Sequence, residues 1–201
     1  MNRMNIVMVG LGNPGKEYAK TRHNAGRMAL ELLAKQEGFD AFVHHKKANA
    51  LVAEGEIGGE MVRLVLPETM MNRSGVSAAA FIKSVRAARG LLVVQDDLDL
   101  PLGSVKMVFA RGSGGHKGVE SIMRSLKTDA FARIRIGISA EGKRHQAKKV
   151  RGEEKVIRHV IGAWKSSEEA AVRRALKKAA EAARLFVTDG IEAATQFANT
   201  R

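Results

Sequence analysis

A chain of 201 residues with no cysteine can form no disulfide, thiolate zinc site or cysteine nucleophile, yet it is long enough to bury roughly 70% of its unfolded surface in one core. Its 34 lysines and arginines against 21 acidic residues leave a formal charge of +13, more than solubility asks of a small domain, and such an excess points to a polyanionic partner. One tryptophan and one tyrosine argue against the aromatic platform of a non-specific single-strand binder, so phosphate contact and RNA shape are the expected modes of recognition.

Taken in chain order, Asn5–Val9 has the β-branched enrichment of a buried strand. It is too short for a signal core or a membrane span, so a cytoplasmic protein with no membrane contact is expected. Directly behind it, Gly10 to Gly26 collects Gly12, Asn13, Pro14, Gly15, His23 and Asn24 in one irregular loop. In open α/β sheets this strand edge is where ligands bind. Gly10, Gly12 and Gly15 match the dinucleotide pattern G-x-G-x-x-G. That motif needs a helix opening among the glycines, whereas Pro14 and Lys16-Glu17 delay it and the helical spacing of Met28 and Leu32, beside Ala29 and Leu33, begins near Ala25. A nucleotide-binding enzyme is therefore the runner-up for this loop.

Further on, Ala50–Ile57 and Glu60–Leu66 flank Gly58-Gly59 as a hairpin, and Ser77–Arg86 reads as one helix carrying Val76, Ala80, Phe81 and Ile82. Leu91–Gln95, Val105–Phe109 and Phe131–Ile138 read as strands, with a short helix over Val119–Leu126. Ser166-Ser167-Glu168-Glu169 forms a capping box that opens a long helix, in which Val172, Leu176, Ala179, Ala183 and Phe186 keep the helical period. No repeat, linker or composition break divides the chain. The expectation is one α/β domain over residues 1–201, a twisted mixed sheet flanked by helices.

Three later segments carry chemistry that complements the first loop. Pro67–Gly75 holds Thr69, Met70, Met71, Asn72 and Arg73; Asp96–Gly103 places Asp96, Asp97 and Asp99 behind a strand; Gly112–Gly118 surrounds Ser113, His116 and Lys117 with glycines. The acidic trio is open to a second interpretation as a magnesium site. Between Lys143 and Arg158, Lys143, Arg144, Lys148, Lys149, Arg151, Lys155 and Arg158 face only Glu153 and Glu154, either a basic binding surface or a solvated loop.

In order and spacing these four loops resemble bacterial-type peptidyl-tRNA hydrolase, over about residues 5–195. That family's pattern runs G-L-G-N-P-G, a tyrosine, T-R-H-N-x-G, then P-x-T-aromatic-M-N-x-S-G, H-D-[DE]-L-D-L-P-x-G and G-G-H-N-G. The chain departs from it at Met70 for the aromatic residue, Gln95 for the histidine and Lys117 for the asparagine. The resemblance implies a carboxylic-ester hydrolase that cleaves the bond between a peptide and the terminal ribose of tRNA, as a monomer, with no metal or other cofactor. It makes His23 the general base, oriented by Asp96, with water as nucleophile. It places Asn13 and Asn72 at the peptide end, with Tyr18, Met70, Met71 and Lys117 in the same cleft. It assigns Arg135 to the terminal phosphate; Arg111 restores a charge that Val108 lacks, and Lys143 and Arg144 extend the basic surface. The alternative is a non-catalytic RNA-binding relative of splicing-factor type, favoured by Lys117 and Gln95 and disfavoured by the retained His23 and Asp96.

Overall fold

An unbroken apolar run suits strand β1 (Ile6–Gly10) to its place at the centre of the sheet. Ile6 and Met8 pack into the core on one face, Val7 and Val9 into the core on the other. A strand buried on both sides needs layers on both sides, and the computed structural model, which describes residues 6–142 and 146–200, supplies them. Seven strands run in the order β2 (Val43–His45), β3 (Ala50–Ile57), β4 (Glu60–Pro67), β1, β5 (Leu91–Pro101), β7 (Ala132–Ser139), β6 (Val105–Phe109). The inner four, β4, β1, β5 and β7, are parallel; β2, β3 and β6 join antiparallel at the two sides. Helices α1 (Ala25–Glu37), α6 (Glu169–Thr188) and α7 (Gly190–Asn199) cover one face. Helices α2 (Gly75–Phe81), α3 (Val85–Ala88) and α4 (Lys117–Leu126) cover the other, and α5 (Glu153–Val160) stands apart beside the carboxyl ends of the strands.

The mixed, helix-flanked sheet is the expected fold class, and several boundaries fall where local chemistry placed them. The β3–β4 turn uses Gly58 and Gly59 at φ 58° and 86°, the left-handed pair that a two-residue hairpin turn demands. Helix α1 starts at Ala25, well beyond the glycines, so its amino end is not where a dinucleotide phosphate would need it. Gly26 lets α1 lie directly on β5, because a Cβ there would come within 2.0 Å of the Val94 carbonyl oxygen.

Three expectations need correction. Ser77–Arg86 is not one helix: α2 ends at Phe81, Ile82 turns extended, and Ser84 caps α3 by accepting the Ala87 N–H at 3.1 Å. The serine side chain offers the backbone an alternative to helix, and the chain takes it. Strand β5 does not stop at Gln95 but runs through the acidic segment to Pro101, because β7 continues to pair with it through Asp97–Gly137 and, after a register shift, Pro101–Ser139. The capping box moves back by one residue. Lys165 precedes a short 3-10 turn, Ser166–Glu168, and its N–H donates to the Glu168 carboxylate at 2.8 Å, while its side chain has no acceptor with which to complete the box. Among the described residues, no helix is long and apolar enough to cross a membrane.

Candidate active site

The loops that follow β1 and β4, the outer half of β5 and the amino end of α4 meet at one edge of the sheet. Asn24, buried, pins the first loop by bracketing Asn13: its Oδ1 accepts the Asn13 N–H and its Nδ2 donates to the Asn13 carbonyl, each at 2.9 Å. Asn13 in turn accepts the Met71 N–H on Oδ1 at 2.8 Å. That bond orients the Asn13 carboxamide and leaves its Nδ2 as the group to serve a ligand. A carboxamide carries both a donor and an acceptor, and in Asn13 the acceptor is committed to the second loop.

At the centre lies Asp96, 2% exposed. Its carboxylate faces His23 Nδ1 at 2.9 and 3.0 Å and His116 Nε2 at 2.9 Å. His116 also caps α4, its Nδ1 accepting the N–H groups of Gly118 and Val119 at 3.2 and 3.4 Å. A nitrogen that accepts backbone N–H carries no proton, so Nε2 of His116 carries it and donates to Asp96. His23 likewise donates from Nδ1, which leaves Nε2 as its lone-pair nitrogen on a ring that lines the cavity. Burial pulls the His23 pKa down, but the Asp96 charge and hydrogen bond outweigh it and hold the pKa above the ordinary histidine value. Burial raises the Asp96 pKa, and the two histidines, by charge and hydrogen bonding, reverse this and hold it well below the carboxylate range.

A cavity of about 620 Å³ opens over this cluster, lined by Asn13, His23, Met70, Met71, Asn72, Asp96 and Lys117 among others. Tyr18 lies outside the lining; its carbonyl accepts the Thr21 hydroxyl at 2.8 Å and closes the turn that leads to His23. Arg135 also lies outside, its Nε donating at 2.6 Å to Asp97, which is in the lining. Arg111 is exposed, and Lys143 and Arg144 fall outside the described residues. The acidic trio is no cage for a hard cation: Asp96 serves two imidazoles, and Asp97 accepts from Arg135 and from the Asp99 N–H at 2.8 Å. His23, Asp96 and His116 bring three donor atoms within 4.8 Å. A metal there would need the other His116 tautomer and would strip α4 of its cap.

Sequence reasoning missed four contributions. His116 went unassigned, although an imidazole between a glycine pair and a helix start is a usable signal. Gln95 accepts from the buried Arg133 at 3.1 Å, and Arg133 also donates to the carbonyls of Arg111 and Gly112 at 3.0 and 2.8 Å, holding the loop that delivers His116. Helix α5, seen in sequence only as a basic stretch, contributes Val156, Ile157 and Val160, with Ile161 just beyond, as an apolar wall. Arg22, buried beside His23, ties the His23 turn to the connection between α5 and α6. Its guanidinium donates to the Ala163 carbonyl at 2.8 Å and the Glu168 carboxylate at 2.7 Å and lies over Trp164, while its N–H donates to the Gly162 carbonyl at 3.1 Å.

Comparison with known proteins identifies the family. A family model described as peptidyl-tRNA hydrolase matches residues 7–201. The chain is 38% identical over 183 residues to a peptidyl-tRNA hydrolase of Halalkalibacterium halodurans, covering 90% of this chain and 92% of that one. It is 38% identical over 201 residues to that of Parasynechococcus marenigrum, covering 96% and 93%. Among solved structures, the crystal structure of peptidyl-tRNA hydrolase from Acinetobacter baumannii superposes with a TM-score of 0.86 at 36% identity, covering 100% of this chain and 97% of that one.

Proposed function

The chain belongs to the peptidyl-tRNA hydrolase family and hydrolyses peptidyl-tRNA, and from that premise we propose that His23 is the general base of the reaction, held by Asp96. The observation that carries this is the two-histidine carboxylate, which leaves His23 Nε2 unprotonated at the cavity. A water on Nε2 gives up its proton as its oxygen bonds to the acyl carbon. Asp96 stabilises the imidazolium that forms. Asn13 Nδ2 donates to the acyl oxygen as charge builds on it. The bond to the ribose oxygen then breaks, and that oxygen takes the proton from His23, freeing tRNA and a peptide carboxylic acid that loses its proton to solvent.

The same hydrogen bonding supplies a basis for selectivity. With its Oδ1 on Met71, Asn13 presents a donor, which suits the carbonyl of a blocked residue and repels the ammonium of an unblocked one. Lys117, exposed at the first residue of α4 and in the cavity lining, also donates and cannot accept, so it serves acyl or phosphate oxygens. Met70, Met71 and the α5 wall receive the apolar parts of the peptide. Arg135 and Arg111 meet tRNA phosphate. A monomer working in the cytoplasm without a metal completes the proposal.

Release of peptide from N-acetylaminoacyl-tRNA, measured beside the unblocked aminoacyl-tRNA, tests it. The parent chain cleaves only the blocked ester, His23→Ala loses about 10²–10⁴ in rate, and Lys117→Asn, which keeps a donor, retains turnover. Undiminished cleavage by His23→Ala would remove His23 as the base.

A further inference from the structure

Arg133, on β7, is a cation in the interior, 3% exposed. Its neighbours Ala132 and Ile134 pack under α1, α6 and α7, so alternation along the strand sends Arg133 to the face that carries α4. Burial, and then the charge of Arg135, pull its pKa below the ordinary arginine value, while the charges of Asp97 and Asp129 oppose them. Its hydrogen bonds go instead to uncharged oxygens. Nη1 donates to Gln95 Oε1 at 3.1 Å, and Nη2 to the carbonyls of Arg111 and Gly112 at 3.0 and 2.8 Å. A planar fork of donors can hold acceptors on two segments at once, which a point-like ammonium cannot.

Both segments lead to Asp96. Gln95 adjoins it on β5, and Gln95 Nε2 donates to the Asp96 carbonyl at 3.2 Å. Arg111 and Gly112 open the loop that ends in His116, whose Nε2 donates to the Asp96 carboxylate at 2.9 Å. Ala110, just before that loop, takes φ 49°, a left-handed conformation that a side chain resists, and Gly114 and Gly115 at 64° and 80° leave the loop few backbone preferences of its own. Ser113 ties the far end of the loop to Glu120 on α4 at 3.3 Å; Arg133 ties its start to the sheet beside Asp96.

We propose that Arg133 is a positioning residue for the reaction. Through Gln95 and the two loop carbonyls it sets Asp96 and His116 against each other, and thereby tunes His23, a role that rests on His23 acting as the base. The His116 N–H draws charge from the Asp96 carboxylate. When His116 withdraws, more of that charge faces His23 and favours its protonated form.

The test compares the full chain with Arg133→Lys, Gln95→Met, His116→Ala and the double variant of Arg133 and His116, each checked by thermal melting. Cleavage of N-acetylaminoacyl-tRNA gives kcat, KM and their pH profiles, and nitrogen NMR of the histidine rings reports on His116 directly. Arg133→Lys lowers kcat about 10²-fold, leaves KM unchanged, moves the kcat/KM midpoint to higher pH and displaces the His116 Nε2 signal. In the His116→Ala background the same substitution costs no more than about tenfold, because residues that act through one contact do not multiply. Gln95→Met cuts only the branch to Asp96 and serves if Arg133→Lys does not fold; it lowers kcat about tenfold with KM unchanged. Variants that melt earlier but keep the parent's kcat and midpoint would make Arg133 a structural pin and overturn the proposal, as would full multiplication in the double variant. If His23→Ala cleaves like the parent, the base assignment falls instead, and the His116 signal decides: displaced in Arg133→Lys, it supports the positioning of His116, and unmoved, it overturns it.

Discussion

Asp96 sits between two imidazole N–H donors, and the pair of histidines divides two tasks that one residue could not perform. His116 is committed at both nitrogens, to α4 and to Asp96, and so acts as a positioning residue. His23 uses one nitrogen on Asp96, and its ring lines the cavity. His23 and Asp96 contribute to stability with opposite dependence on pH. Because the His23 pKa is raised, its ion pair with Asp96 stabilises the fold fully below the ordinary histidine value of 6.5 and loses that effect as pH rises through the folded pKa. The proposed catalysis runs the other way, since only the neutral ring is a base. The Asp96 contribution, from a lowered pKa, is present above the ordinary carboxylate value of 3.8 and lost only in acid. The pH profile of kcat/KM should therefore rise with a midpoint above 6.5. Asp96→Asn removes the charge and leaves burial, which moves that midpoint to lower pH and lowers the plateau by about 10²–10⁴. A midpoint that stays in place in Asp96→Asn would show that Asp96 does not set the base.

At the level of elements, the His23 turn and the α5–α6 connection are tied into one unit. The pairing of Arg22 with Glu168 is nearly buried, at 7% and 19% side-chain exposure, and breaking such a pair from one side leaves an uncompensated cation. Glu168→Ala should cost about 3 kcal/mol, or a fall of about 6–12 °C in melting temperature for a chain of this size. An unchanged melting curve would mean that the Ala163 carbonyl and Trp164 suffice to hold Arg22. The elements themselves were unevenly legible. Strand β1, the Gly58-Gly59 hairpin and the start of α1 depend on neighbours within a few residues, and their spacing announced them. The break after Phe81 turns on a single serine cap, and the outer half of β5 on a partner strand some 40 residues away. The apolar wall of α5 was hidden among the lysines and arginines that surround it.

Over the whole molecule, the charge of +13 makes a salt-dependent complex with tRNA the expected behaviour. The logarithm of the binding constant should fall linearly with the logarithm of salt concentration, by about 0.7–0.9 for each phosphate neutralised; a flat dependence would exclude phosphate contact. Composition and motif spacing were enough to anticipate a mixed α/β fold and a polyanionic substrate, and four loops whose residues His23, Asp96, Asn13 and Asn72 line one cavity. These follow from residue types at short range, where backbone preferences and side-chain chemistry act directly. Packing settled which nitrogen of each histidine faces Asp96 and which end of Asn13 is bonded to Met71. Those outcomes depend on hydrogen-bond partners 20, 73 and 58 residues apart, and on helices laid across a sheet edge, distances at which the order of residues along the chain carries no geometric information.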